Sequence, residues 1–236
     1  MATDQEISDD VIFMAQNDNA GELILVRHGE QVWPNKLAPI NDWVDPPLSP
    51  FGQQQAKAVG VYLASDDVDA VYSSSLDRAK TTAASIARHH SLEVPAFGDI
   101  DEIRMFSELP QDVSAVEALG LSEFAKMHLE FGRTQKWDSY LHGEQSAAFR
   151  SRVTTTIDAI IERHQESTVI VVSHGGVINA YLSEKLKLEP DNFFRPKHCS
   201  VSRIRFTGTN IVIDTLHEYR FLESQGLTNS GRPPED

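Results

Sequence analysis

Three short runs in this chain set ionisable side chains directly behind apolar stretches: LVRHGE (Leu25–Glu30), YSSSLDRAKTTA (Tyr72–Ala83) and VVSHGG (Val171–Gly176). They deliver Arg27 and His28, Arg78, and His174. A guanidinium is planar and always charged, and its fork matches the oxygens of a phosphate two at a time. An imidazole changes charge near neutrality and can donate or accept a hydrogen bond. Glycine after a histidine lets backbone approach a ligand closely, and a helix that starts there offers free N–H groups to an anion. Two arginines, two histidines and helix starts describe a pocket for a compact multivalent anion, for which phosphate is the best match.

These side chains act together only if the elements that carry them end at one edge. LILV (Leu23–Val26) and TVIVV (Thr168–Val172) are continuous apolar runs, the pattern of strands buried on both faces of a parallel sheet, and VDAVYSSS (Val68–Ser75) reads as another strand. Between them lie helices. One starts at Pro50 behind Ser49 as N-cap, with Ala56, Val59, Tyr62 and Leu63 at helical spacing. A second starts at Asp77, and a third carries Phe149, Val153, Ile157, Ile160 and Ile161 on one face. GGVINAYLSEKL (Gly175–Leu186) is another helix, and SVSRIRFTGTNIVIDTLHEY (Ser200–Tyr219) reads as two strands joined by a turn. Residues 112–133 predict helices broken near Gly120 and Gly132. Alternating strands and helices predict an α/β fold: a doubly wound, mostly parallel sheet flanked by helices on both faces, a three-layer sandwich. Ligands of such sheets sit beyond the carboxyl ends of the strands, where all four ionisable residues fall.

LVRHGE, DPPLSPFGQQQA (Asp45–Ala56), YSSSLDRAKTTA and VVSHGG, in that order over Leu23 to Leu186, resemble the histidine phosphatase superfamily, in its phosphoglycerate-mutase-like branch. The resemblance implies a phosphatase that hydrolyses a phosphate monoester in two steps through a phosphohistidine on His28. It assigns Arg27, Arg78 and His174 to the phosphoryl oxygens, with Gly175 and Asn35 as further phosphate contacts. It implies a carboxyl acid/base in DIDEIRM (Asp99–Met105), where Glu102 matches best and Asp99 and Asp101 are neighbouring alternatives. No metal and no cofactor is implied, and the partner is a small phosphorylated molecule. Activity that depends on a protonated acid is expected to fall at alkaline pH.

The chain departs from the family pattern after RHGE. Gln31, Val32, Trp33, Pro34 and Asn35 stand where a small hydroxyl, one residue, an aromatic and an asparagine are common, so Asn35 is displaced by one. Residues 103–142 are expected to form a substrate-specificity cap, with Lys36, Arg104 and Arg133 as candidate substrate contacts. Trp33, Trp43, Met105 and Phe106 are candidates for an apolar mouth. No arginine pair follows Glu102, which disfavours a 2,3-bisphosphoglycerate-dependent phosphoglycerate mutase. That mutase and a low-activity regulatory or binding protein with a phosphate pocket are the rival readings.

The remaining features bound the answer. A formal net charge of -14 argues against nucleic acid or an anionic membrane as partner. A single cysteine, Cys199, excludes an intrachain disulfide. No apolar run is long enough to span a bilayer, and the acidic start is unlike a signal peptide, so cytoplasmic residence is expected. Residues 1–20 read as an acidic extension within which Val11 to Met14 could pack, 21–222 as the catalytic domain, and 223–236 as a flexible tail; a homo-oligomer is compatible. His89 and His90 read as helix-end cations, and His128, His142, His164 and His217 as surface or packing residues. His198 beside Cys199 lacks a third orienting group for a Cys–His pair.

Overall fold

The computed structural model describes residues 20–228. Six strands form one sheet: β1 (Gly21–Arg27), β2 (Ala70–Ser74), β3 (Ala96–Phe97), β4 (Thr168–Ser173), β5 (Val201–Thr207) and β6 (Asn210–Glu218), in the order β3-β2-β4-β1-β5-β6. The first four of that order run parallel, and the β5–β6 hairpin is added antiparallel to β1. The expected mostly parallel sheet is present, with an antiparallel edge.

The helices are α1 (Pro50–Tyr62), α2 (Asp77–Ala87), α3 (Ala115–Leu119), α4 (Leu121–Thr134), α5 (Ser146–Arg163), α6 (Gly175–Lys185) and the single turn α7 (Arg220–Glu223). Side chains alternate across a strand, so the central strands feed two cores. Leu23, Leu25, Val169 and Val171 pack with Phe149, Val153 and Ile157 of α5 and Val177 and Tyr181 of α6. Ile24, Val26, Ile170 and Val172 pack on the other face, with Val59 of α1 and Ala83 and Ile86 of α2. This is the three-layer sandwich expected. Ser49 caps α1 as predicted, its hydroxyl accepting from Gly52 N at 3.0 Å.

Two expectations need correction. Gly120, at φ 82°, separates α3 from α4, but Gly132 lies inside α4, which runs to Thr134 and ends on Gln135 in the left-handed region. A glycine in the last turn weakens a helix without ending it. The packed chain also outlasts the predicted tail boundary at 223. Leu227 is buried against the α1–α2 core, and its carbonyl accepts from Gln55 Nε2 at 2.9 Å. The Val11–Met14 stretch and residues 229–236 lie outside the described residues. Among the described residues no helix is long and apolar enough to cross a membrane.

Candidate active site

The β1–β4 register pairs Arg27 with Ser173, so Arg27–His28 and Ser173–His174 emerge side by side. His28 N donates to Ser173 O at 2.9 Å, and the two imidazole centroids are 5.0 Å apart. Next along the sheet β2 ends at Ser74, whose Oγ shares a 2.7 Å hydrogen bond with His174 Nε2. The chain then turns into α2, which presents Arg78 to the same place. His28, Arg78 and His174 are all buried. A β-carbon at Gly29 would collide with the Gly52 backbone and one at Gly52 with the Glu30 backbone, so the close approach of the segment after β1 to the first turn of α1 requires glycine at both.

Each side chain is aimed by a specific partner. His28 Nδ1 lies 2.6 Å from Gly29 O, and a carbonyl only accepts, so Nδ1 carries the proton and Nε2 keeps its lone pair. Burial, then His174, Arg78 and Arg27, push the His28 pKa well below its ordinary 6.5. His174 is lowered in the same direction by burial and by Arg78, Arg27 and Arg152. Burial lowers Arg27 to about 10 and also depresses Arg78. Arg27 Nη1 donates to Pro196 O at 2.6 Å, and Arg78 Nη1 donates to Val44 O at 3.0 Å and Asp45 Oδ1 at 3.3 Å. Asp45 also accepts from Asp77 N at the start of α2, which fixes Arg78 through its own helix. Arg27 Nε, Arg78 Nε and His174 Nδ1 are buried without a hydrogen-bond partner. Buried nitrogens clustered in this way suit an anion with several oxygens.

Of the three candidate carboxylates one faces the cluster. Glu102 Oε2 accepts from Gly176 N in the first turn of α6 at 3.2 Å, and a β-carbon on Gly176 would collide with Glu102 Oε1. Glu102 also acts on both Arg27 and Arg78 as an opposing charge. Asp101 is engaged elsewhere, accepting from Ser75 N at 2.8 Å and Ser75 Oγ at 2.7 Å, and Asp99 is exposed. Arg152 of α5 holds this loop: Nη1 donates to Asp99 O at 2.8 Å and Asp101 O at 3.0 Å, while Nε and Nη2 bind Glu144 at 2.6 and 2.8 Å. Among the described residues no three His, Cys, Asp or Glu side chains converge as metal ligands.

The family model of the histidine phosphatase superfamily (branch 1) matches residues 23–218, most of the chain. The chain belongs to that superfamily. It is 31% identical over 222 residues to phosphoglycerate mutase-like protein 4 of Arabidopsis thaliana, covering 93% of this chain and 94% of that one. It is 31% identical over 179 residues to phosphoserine phosphatase 1 of Hydrogenobacter thermophilus, covering 73% of this chain and 80% of that one. Among solved structures, a phosphoserine phosphatase variant from Entamoeba histolytica in complex with phosphoserine superposes with a TM-score of 0.67 at 25% identity, covering 86% of this chain and 99% of that one.

Within this histidine phosphatase fold, Arg27, His28, Arg78, Glu102 and His174 converge, and Gly175 lies against Arg27. Other candidates do not join them. Asn35 is exposed and its Oδ1 accepts from Leu37 N at 2.9 Å, closing a local turn. Lys36 and Arg104 are exposed, and Arg133 is paired with Glu130 on the outer surface of α4. Phe106 is not a mouth residue but the buried centre of a small cluster with Ile40, Met127 and Tyr140; Met105 and Trp43 are exposed. Asp45, Ser74, Arg152 and His198 belong to the site's surroundings and escaped the sequence reading. His198 is the clearest omission: its ring lies 5.6 Å from that of His28. The signal was available, because a strand antiparallel to β1 must begin at the edge where β1 ends.

Proposed function

We propose that this chain is a phosphatase of small phosphate monoesters that works through a phosphohistidine on His28. The observation that carries the reading is the His28 ring itself, neutral by burial among cations and with Nδ1–H donated to Gly29 O, which leaves the Nε2 lone pair as nucleophile. Nε2 attacks phosphorus, the P–N bond forms and the bond to the ester oxygen breaks. Glu102 gives its proton to the departing alkoxide. Water then attacks the phosphohistidine, the P–N bond breaks, Glu102 takes the water's proton, and His28 and inorganic phosphate are released. Arg27, Arg78 and His174 hold the non-bridging oxygens and offset the charge that spreads over them in each transfer, the electrostatic role that contributes most in such reactions.

Support from relatives is of two kinds, because both phosphoserine phosphatases and phosphoglycerate mutases are among them. A mutase would pass the phosphoryl group to a second alcohol instead of water. The absence of any arginine pair between Glu102 and Tyr140 supports the hydrolase. The deciding experiment is an alkaline denaturing quench, which preserves the acid-labile P–N bond, followed by mass spectrometry during turnover of p-nitrophenyl phosphate. A phosphate adduct on His28, with release lowered by about 10⁴-fold or more in His28→Ala, is expected. Brisk release without that adduct would overturn the reading, and interconversion of monophosphoglycerates on adding 2,3-bisphosphoglycerate would assign the mutase.

A further inference from the structure

The loop Phe193–His198 passes beside Arg27, and the scheme above uses none of its side chains. It is firmly held. Asn179, buried on α6, donates through Nδ2 to Phe194 O at 3.0 Å and accepts at Oδ1 from Phe193 N at 3.0 Å and Phe194 N at 3.2 Å. Arg27 Nη1 binds Pro196 O at 2.6 Å, and Cys199 N donates to Arg27 O at 2.9 Å. With its backbone fixed at both ends, the loop binds without a backbone ordering cost.

Two of those side chains are unaccounted for. His198 sits 5.6 Å from the His28 ring and 6.2 Å from Trp33, and its Nε2 is buried without a hydrogen-bond partner. Arg195 is exposed, lies within electrostatic reach of both Arg27 and His198, and makes no ion pair among the described residues. The nearby carboxylates are engaged elsewhere, Asp45 with Arg78 and Glu102 at the start of α6. Arg27 and Arg78 already match a phosphate dianion, so Arg195 is a cation in excess of what the phosphoryl group requires. An unpaired guanidinium on the residue next to Pro196, whose carbonyl binds Arg27, favours ligands that carry further negative charge beside the phosphate pocket.

We propose that Arg195 and His198 form a second anion subsite, which receives a carboxylate on the alcohol portion of the substrate. The proposal rests on the phosphatase reading for the place of the ester. Burial and the charges of Arg27, Arg195 and Arg78 lower the His198 pKa to about 2, so its ring is neutral and the subsite carries a single positive charge. That charge suits a monoanionic carboxylate better than a second phosphate dianion. The guanidinium takes the carboxylate oxygens and His198 Nε2 adds a neutral donor. Glu102 lies on the β2–β4 side of the pocket and Arg195 on the β1–β5 side, so the ester oxygen and the carboxylate are separated by a short carbon chain that crosses the mouth.

The test compares 3-phosphoglycerate with glycerol 3-phosphate, which present the same ester and differ by a carboxylate against a hydroxymethyl. The wild-type protein is expected to favour 3-phosphoglycerate in kcat/KM by about tenfold or more, the value of one charge-assisted hydrogen bond. Arg195→Ala is expected to erase that ratio and Arg195→Lys to keep part of it. Because Arg195 is exposed, its variants are expected to fold, which the thermal midpoint checks. A wild-type ratio near one, or a ratio that Arg195→Ala leaves intact, overturns the subsite. If neither ester is hydrolysed, calorimetric binding of the same pair to the full chain decides: selective, Arg195-dependent binding of 3-phosphoglycerate upholds the subsite while the phosphatase reading falls, and unselective or absent binding removes both.

Discussion

At the carboxyl edge of the sheet, His28, Arg78 and His174 are buried, and Arg78 Nε and His174 Nδ1 have no hydrogen-bond partner among the described residues. Between Ile103 and His142 the opposite holds. There the charged side chains lie outside, Arg133 on Glu130 and Lys126 on Glu123, while Phe106, Met127 and Tyr140 gather into a small aromatic cluster of their own. That region is tied to the body by hydrogen bonds along its length, among them Ile40 N to Val113 O at 2.9 Å, Asp191 N to Gln135 O at 2.9 Å and Glu144 N to Arg104 O at 3.0 Å. Asp191 accepts from Trp137 N at 2.8 Å, Ser146 Oγ at 2.6 Å and Arg150 Nε at 2.7 Å, and Glu144 binds Arg152. One region holds unpartnered charged and imidazole nitrogens on a sheet edge, and the other keeps its charges in surface pairs and presents Leu121 and Leu129 to solvent. Stored, preorganised polarity is what electrostatic catalysis needs. The two regions meet at the loop that carries Glu102.

Glu102→Gln probes that meeting point most severely. It removes the transferable proton while keeping the shape, and kcat on p-nitrophenyl phosphate or a less activated ester is expected to fall by about 10²- to 10⁴-fold. The loss should be larger for glycerol 3-phosphate, whose leaving alkoxide needs the proton more. Asp101→Asn, one residue away, disturbs only the Ser75 contacts and is expected to lose far less. Equal losses in the two variants would break the assignment of Glu102 as the acid.

Arg152→Ala tests the clamp between the regions. The guanidinium binds the carbonyls of Asp99 and Asp101 and the carboxylate of Glu144, so its removal frees the acid-bearing loop from α5 and breaks no hydrogen bond of the cradle side chains, leaving His174 with one charge fewer nearby. A displaced catalytic group loses rate steeply, and a fall in kcat of about 10- to 100-fold is expected. Inhibition by vanadate, which reads the cradle alone, should stay within about threefold of wild type, since the cradle contacts are untouched. Parallel losses of vanadate affinity would mean that Arg152 supports the whole fold instead of the loop.

The contrast also explains what could be read from the chain before folding. LILV, TVIVV and VDAVYSSS carry their own period and composition, and parallel strands bring their carboxyl ends to one edge, so Arg27, His28, Arg78 and His174 could be grouped from order alone. Their orienting partners could not. Asp45 reaches Arg78 across a proline-rich loop, and Arg152 reaches the Glu102 loop across about 50 residues of chain. Such contacts depend on loop paths that no local pattern encodes. Lys36, Arg104 and Arg133 were selected by charge and loop position, and in the folded chain they are exposed, Arg133 against a helical neighbour three residues away. The neighbour of His198 in sequence is Cys199, but its neighbour in space is His28, because the strand that follows it runs antiparallel to β1.

The buried imidazoles also make the cradle the acid-sensitive region. His28, His174 and His198 have folded pKa values below the ordinary 6.5. Below that pH an unfolded ring takes up a proton that the folded ring refuses, so the unfolded state gains and stability falls as pH drops; above it the contribution is fully present. Urea denaturation is expected to lose roughly 1 kcal/mol per pH unit for each such ring between about pH 6 and 5. In that interval the His28 ring resonances should stay at their neutral positions by NMR. A His28 titration midpoint at its ordinary value would break both this expectation and the neutral nucleophile.

The smallest effect is expected where charge first suggested substrate contact. Arg133 donates to Glu130 on the same helix at 3.0 Å through Nε, and both side chains are open to solvent. Exposed ion pairs of this kind contribute little because water and salt compete with them. Arg133→Ala is therefore expected to leave kcat/KM within about twofold for p-nitrophenyl phosphate, 3-phosphoglycerate and glycerol 3-phosphate, and the thermal midpoint essentially unmoved. The same measurement on Arg195→Ala gives the contrast its edge, since that guanidinium is equally exposed but stands beside Arg27 with no carboxylate of its own. If Arg133 and Arg195 behaved alike, exposure and not proximity to the cradle would govern how this protein reads its substrate.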